Sequence, residues 1–260
     1  VSAMTLDACM AYAVDERGGI DLTAAQIEGV LDRSFRTWMS VTCDGASPGF
    51  DILGYVERAT CQDAQYRGNR GNVNVVAMVS DWEERDYDPS AYAITTVWHN
   101  TDTGTILDVD VLVNEQLGPY AICPDTGCLP ALPRNQVVDL ENVITHELGH
   151  FFGIAHSDVP NATMYLSAAR GETLKRTLAE DDIEAMCSIY PPGRLNSCTN
   201  HDPRGGLDLN CEDDPEGSSC VALGPVPSSR SPVGWLLLGA GLAAVIGSRR
   251  LGRSRPRQRR

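Results

Sequence analysis

One stretch, His146-Glu147-Leu148-Gly149-His150-Phe151-Phe152-Gly153-Ile154-Ala155-His156, constrains this chain more than any other. Histidines four apart, with a glutamate after the first, lie on one turn of a helix, because residues i and i+4 share a face. Both imidazoles then reach one metal ion. Gly153 stands between them and a third histidine, His156. A glycine there lets the chain leave the helix in a left-handed conformation that a residue with a Cβ resists. The returning chain brings His156 back to the same ion. Three nitrogen ligands leave the fourth tetrahedral position for water, which separates a catalytic zinc site from a closed structural one. The chain has five histidines, and three of them are here. His146, His150 and His156 are therefore candidate ligands of one zinc ion, bound as neutral imidazoles. Glu147 is the candidate general base beside the water.

Charge and cysteine usage narrow the setting. The formal net charge of -14 argues against nucleic acid as a partner. Seven of the 21 basic residues fall between Arg249 and Arg260, so the rest of the chain carries 14 bases against 35 acids. Lys175 is the only lysine, and nothing about function follows from that alone. Nine cysteines without a CxxC pair favour disulfides over a zinc ribbon, and an odd count leaves one thiol over. Cys123 and Cys128 bracket a Pro-Asp-Thr-Gly turn that the pair can close. The chain begins at Val1, and with this cysteine usage the N-terminus reads as processed or truncated.

In chain order, Cys9 to Val14 reads as a strand. A helix capped by Asp21 or Thr23 runs to about Met39, with Ile27, Val30, Leu31, Phe35 and Trp38 at helical spacing. Strands follow near Phe50 to Val56, Asn72 to Val79, Tyr92 to His99 and Ile106 to Asn114. Leu117 to Arg134 is a loop. Val137 to Phe152 is the helix that carries the first two histidines, and a last helix runs from about Leu178 to Tyr190. The expected class is α+β, in which a mixed sheet supports two long helices. Residues 1–193 form this domain. Residues 194–232 read as an acidic linker rich in Cys, Pro and Ser. The stretch Asp202 to Asp214 offers oxygen ligands to calcium but lacks EF-hand spacing, so calcium stays unassigned and a solvated acidic linker is the better reading. Residues 233–260 are a hydrophobic segment with an arginine-rich tail. The apolar run Val233 to Gly247 falls short of the roughly 18–20 residues that span a bilayer. Its basic flank fits the positive-inside rule, which favours a membrane-anchoring or sorting segment.

These residues together resemble the metzincin zinc endopeptidases, and within them the matrixin family in its bacterial form. Ser157 directly after His156 is similar to the matrixin motif. Met164, in Ala162-Thr163-Met164-Tyr165, stands at the place of the family's Met-turn. Leu178-Ala179-Glu180-Asp181-Asp182-Ile183 resembles the family's last-helix motif, and Asp102 to Asp110 its strand before the active-site helix. The resemblance covers about Leu6 to Pro192. It implies a Met-turn beneath the zinc, braced by Asp181 or Asp182, and protein or peptide substrates laid along an edge strand near Ile106 to Asn114. It also departs from the family. The histidines of the second, structural zinc site are missing, since His99 and His201 cannot supply it alone. Tyr165 follows Met164 directly, so it does not match the zinc-binding tyrosine of astacin-like enzymes.

The tail carries a second resemblance, to the tripartite sorting tails of bacterial surface proteins, most like those of myxobacteria. Cys220 is then the processing cysteine; the other reading pairs it with Cys211 or Cys198. The expected function is a zinc-dependent endopeptidase, exported and either anchored at the cell surface through the C-terminal segment or secreted after processing. The alternative is a catalytically silent zincin domain that serves as a surface binding module. The intact Glu147 argues for the first. The sequence sets no oligomeric state.

Overall fold

The computed structural model describes residues 9–68, 70–125, 128, 137–192, 198 and 200–210, together with the backbone of 233–238. Strands β1 (Cys9–Val14), β2 (Asp51–Gly54), β3 (Val75–Val79), β4 (Ala93–Asn100) and β5 (Ile106–Asn114) form a sheet in the order β2-β1-β3-β5-β4. The first four strands of that order run parallel, and β4 is antiparallel to β5. This is the mixed α+β architecture expected from the sequence.

Both faces of the sheet are covered, which explains strands with unbroken burial such as β3. Tyr12, Val14, Val109, Val111 and Val113 turn to the helices, while Ala13, Val75, Ala77 and Leu112 turn to the other face. Helix α1 (Ala24–Met39) is capped by Thr23, whose side chain and Gln26 form a reciprocal capping box. Its apolar stripe buries Ile27, Val30, Leu31, Phe35 and Trp38, as the spacing predicts. Helix α2 (Leu140–Phe151) packs against α1, and the buried Trp38 indole donates to the Thr145 carbonyl of α2 at 2.8 Å. Helix α3 (Glu180–Ile189) closes the domain.

Two boundaries differ from the sequence reading. Val138–Asp139 form a short strand, β7, beside β6 (Tyr120–Ala121), so α2 starts three residues later than expected. The Asp139 side chain accepts the Asn142 N–H and caps the helix there. Helix α3 starts at Glu180 rather than Leu178, because the Ala179 N–H turns to the Asp182 carboxylate.

A third difference concerns the edge. The expected edge strand, Ile106 to Asn114, is β5, and it lies between β3 and β4. Strand order is non-local, and no local pattern separates an inner strand from its antiparallel neighbour. The strand at that side of the domain is β4. Along it runs β8 (Val233–Leu238), antiparallel, from Asn100↔Val233 to Thr95↔Leu238. That segment is the first part of the apolar run. The rest of the run and the arginine-rich tail lie outside the described residues, as does Cys220. Among the described residues, no helix is long and apolar enough to cross a membrane.

Disulfides join Cys9 to Cys198, Cys43 to Cys187 and Cys123 to Cys128, and Cys61 is also disulfide-bonded. Cys198 is thus removed as a partner for Cys220. Residues 200–210 run over the helix-free face, where Leu207 and Leu209 pack on the core and the Thr60 N–H donates to the Leu209 carbonyl at 2.8 Å. Asp202 accepts the Tyr55 hydroxyl at 2.8 Å, and Asp208 pairs with Arg67 at 3.2 Å. Residues 211–214 of the acidic stretch lie outside the described residues.

On the same face, β5 buries two carboxyl groups. Asp110 accepts the Val75 and Gln65 N–H groups at 2.8 and 2.9 Å. Asp108 is fully buried beside Asp110, and neither of its oxygens meets a backbone N–H or a cationic donor among the described residues. Burial first, and the neighbouring Asp110 second, push the Asp108 carboxyl well above the usual range. Burial pushes Asp110 up to about 8. A group that holds its proton when folded and loses it when unfolded lowers stability as pH rises from its unfolded value towards its folded one. Asp108→Asn removes that linkage. We expect it to raise the thermal midpoint at pH 8, by roughly 2–4 °C for each kcal/mol relieved, and to leave it unchanged at pH 4. Thermal unfolding across that range checks this.

Candidate metal centre and active site

Helix α2 presents His146 and His150 one turn apart, and all of its residues except Glu141 are buried. The helix ends at Phe151 with Phe152 as its cap, and Gly153 follows at φ +80°, the left-handed turn that the sequence requires. His156 then comes back beneath the helix end. Its Nε2 lies 3.3 Å from His146 Nε2 and 3.1 Å from His150 Nε2.

The tautomers follow from the other ring nitrogens. His146 Nδ1 is 2.6 Å from the Thr163 carbonyl, and His150 Nδ1 is 2.8 Å from the Ile154 carbonyl. A carbonyl only accepts, so both Nδ1 atoms carry the hydrogen and both Nε2 lone pairs face the shared point. Zn–N bonds of about 2.0–2.1 Å in tetrahedral geometry put ligand nitrogens about 3.3 Å apart. The observed spacings fit that requirement. Burial also favours the neutral rings: it lowers His146 well below its usual range and His150 to about 3, and it lowers His156 as well. The three residues meet every demand of a zinc site that donor chemistry and spacing can make.

Glu147 follows His146 on the same buried helix. It is 5% exposed, and the Thr95 hydroxyl of β4 donates to its Oε2 at 2.6 Å. Burial pushes its carboxyl up to about 7, against the Thr95 hydroxyl and the Lys175 charge, which pull it down. One carboxylate oxygen is thus held by the sheet, and Glu147 lines the adjoining cleft.

The floor of the site is the turn Ala162–Tyr165. Met164 is buried, and its N–H donates to Asp182 Oδ1 at 2.9 Å. The Thr163 N–H donates to Asp182 Oδ2 at 2.7 Å. Of the paired aspartates, Asp182 alone makes this brace. Asp181 is half-buried at the start of α3 and makes no hydrogen bond or ion pair among the described residues. The Ser157 N–H donates to the Met164 carbonyl at 2.8 Å, which ties the chain just after His156 to the turn.

Three contributors were not foreseen. Lys175 is 4% exposed and runs beneath the turn. Its ammonium donates to the carbonyls of Ala162 and Thr163 at 3.5 and 3.0 Å, and to that of Tyr165. Asn142 accepts the Lys175 backbone N–H at 2.8 Å. Thr95 completes the set. The only signal available was that Lys175 is the sole lysine in a chain that otherwise uses arginine. The pairings themselves span 10 to 52 positions and leave no local pattern.

A mixed sheet, two long helices and three imidazoles that converge beside a glutamate define a domain of the zincin class. Residues 7–191 match the matrixin family, and the chain belongs to it. Individual relatives align over shorter stretches. Metalloendoproteinase 5-MMP of Arabidopsis thaliana is 46% identical over 59 residues, which is 23% of this chain and 16% of that protein. Metalloendoproteinase 1-MMP of the same plant is 45% identical over 65 residues, 24% of this chain and 18% of that protein. Human matrilysin is 44% identical over 46 residues, 18% of this chain and 17% of that protein. The chain thus spans less than a fifth of the length of each of these relatives.

The helix and the turn meet at Gly149. A Cβ there falls 2.1 Å from Met164 Sδ and 2.8 Å from Trp38 Cζ2, both of them buried atoms. Gly149→Ala is expected to cost about 1–3 kcal/mol by overpacking and to push the turn away from His146. A fall in thermal midpoint together with weaker zinc retention in a competition with a chelator is the expected result; wild-type values for both would contradict it.

Proposed function

We propose that this chain is a zinc-dependent endopeptidase in which His146, His150 and His156 hold the metal and Glu147 is the general base. The observation that carries the reading is the convergence of three imidazole Nε2 atoms, that of His156 lying 3.3 Å from His146 and 3.1 Å from His150, beside a buried carboxylate held by Thr95. Family membership supports it. Bound zinc supplies a Lewis acid that polarises the scissile carbonyl and acidifies water. Glu147 Oε1 accepts the proton of the attacking water and returns it to the leaving amine. Thr95 keeps the carboxylate from rotating away. The Thr163 and Ile154 carbonyls fix the imidazole rings, and Asp182 fixes the Thr163–Met164 peptide through the Met164 N–H. An extended substrate pairs with β4 by strand addition. The antiparallel run of β8 along that strand is the kind of contact such a peptide makes.

The rival reading is a silent domain that binds at the cell surface. The intact glutamate and its hydroxyl partner favour the enzyme, since a binding module needs neither. Hydrolysis of denatured protein decides between them. Wild type is expected to cleave, chelation to stop it, and added zinc to restore it. Glu147→Gln is expected to lower the rate by about 10²–10⁴-fold while zinc content and thermal midpoint stay at wild-type values. Equal inactivity of both proteins with zinc bound would favour the silent domain.

We further propose export, with processing of the C-terminal tail. Disulfides persist in oxidising compartments, and three pairs are formed among the described residues. The basic, apolar tail then acts as the anchor or sorting segment, with Cys220 as the processing residue. Mass spectrometry of the surface-exposed protein is expected to find a chain that ends before the arginine cluster. An intact Arg260 would contradict it.

A further inference from the structure

The edge of the sheet next to the metal centre is already taken. Strand β4 holds Glu147 through the Thr95 hydroxyl, and Ala93 at its start lines the cleft together with His146 and Glu147. On the side away from β5, β4 carries β8, so β8 rather than β4 ends the sheet there. The pairing is antiparallel and runs without a bulge from Thr95↔Leu238 to Asn100↔Val233. The other edge strand, β2, lies at the opposite end of the sheet.

A strand edge offers one row of N–H and C=O groups, and a single added strand uses that row. A peptide therefore cannot pair with β4 between Thr95 and Asn100 while β8 does. The segment Val233-Gly234-Trp235-Leu236-Leu237-Leu238 holds neither a proline nor a charge, the two devices that keep a strand from pairing at an edge. In the sequence, 22 residues separate Asn210 from Val233. A flexible tether of such length holds an attached segment at roughly millimolar effective concentration. A protein substrate in free solution competes with it at a disadvantage. The same residues open the apolar run of the tail. Paired with β4, they are not available as an anchor, so the two roles of the segment exclude each other.

We propose that Val233–Leu238 is a built-in occupant of the substrate edge, which keeps the uncut chain latent until the tail is drawn off or cut away. The block is competitive: it raises KM for an extended substrate and leaves kcat as it is. A tenfold effect needs only that the edge is free about one-tenth of the time. Removal of the tail then does two things at once, since it ends anchoring and opens the edge. A strand that only shields the edge from other chains has a different signature. Its loss lowers solubility or stability and leaves the KM of each molecule unchanged. The proposal rests on the endopeptidase reading for what the edge binds once it is free.

The test uses the full, zinc-loaded chain with the recognition sequence of an unrelated protease inserted after Ser229. Cutting there and diluting is expected to lower KM for an extended peptide substrate at least tenfold at constant kcat. A synthetic peptide with the sequence of residues 231–240, added to the cut protein, is expected to restore the high KM competitively. In the uncut chain, Leu236→Pro together with Leu237→Pro removes two neighbouring N–H groups, one of which faces β4 in an antiparallel ladder. This variant is expected to reach the low KM without cutting. Hydrogen exchange of the β4 amides, measured on the Glu147→Gln protein, reads the edge without any turnover. Those that face β8 are expected to exchange at least tenfold faster after the cut. Equal KM before and after cutting overturns the latency and leaves the peptidase reading intact. Faster exchange on cutting, with no hydrolysis by either form, upholds the occupied edge and removes the peptidase reading. Unchanged exchange overturns the occupied edge itself. If the double proline variant does not fold, the cut chain still decides.

Discussion

The site hangs on one peptide group, the one that joins Thr163 to Met164. Its carbonyl accepts the Nδ1 hydrogen of His146 and one hydrogen of the Lys175 ammonium. Its N–H, that of Met164, donates to Asp182 Oδ1 at 2.9 Å. A zinc ligand, a buried cation and a buried anion from three parts of the chain are thus joined through the two ends of a single amide. The cation pulls on the oxygen and the anion on the N–H, so each polarises the peptide in the sense that strengthens the other contact. Displace that amide and His146 loses both its tautomer and its aim. The carbonyls of Ala162 and Tyr165, which also accept from Lys175, keep the turn from twisting about that point.

The rest of the domain sets where that amide sits. Trp38 of α1 donates to α2 one residue before His146, and its ring fills the space beside Gly149. Helix α2 is fixed to the sheet from its other side, where Thr95 of β4 holds Glu147. Its N-terminus is fixed by Asp139, which caps the helix and also pairs with Arg176 at 2.5 Å, next in the chain to Lys175. The segment that carries the buried cation is therefore anchored to the same helix as the ligands. Errors in the position of one part move all of them together, which is how a loop-built floor keeps register with a helix-built wall.

How much of this was legible in the sequence depends on the distance over which each contact acts. His146, Glu147, His150, Gly153 and His156 could be read directly, because their arrangement is a property of one helix turn and its exit. Met164 and the paired aspartates could be read only by resemblance, and the resemblance did not say which aspartate braces the turn. Burial decided that: Asp182 is fully buried in the first turn of α3, while Asp181 faces outwards. Thr95, Asn142 and Lys175 could not be read at all. Nothing in a strand threonine, a helix asparagine or a single lysine signals that 50-residue separations bring them to one cleft. The edge strand was misassigned for the same reason: both β4 and β5 have the composition of strands, and only the sheet order says which lies inside. Asp110 alternates with valines along β5 and is buried under the segment around Gln65, another contact between distant parts of the chain.

The bond between Cys43 and Cys187 has a consequence beyond its own contact. It ties the chain just after α1 to α3, across a separation of 144 residues. Helix α3 is short and carries Asp182, so it is the kind of terminal element that detaches first in partial opening. With the crosslink in place it cannot drift away without α1, whose stripe is part of the core. Partial opening is thereby converted into a rarer, larger event. Proteases cut chains mainly through such partly open forms. The crosslink therefore governs how long the domain survives in its surroundings, quite apart from how stable it is at equilibrium.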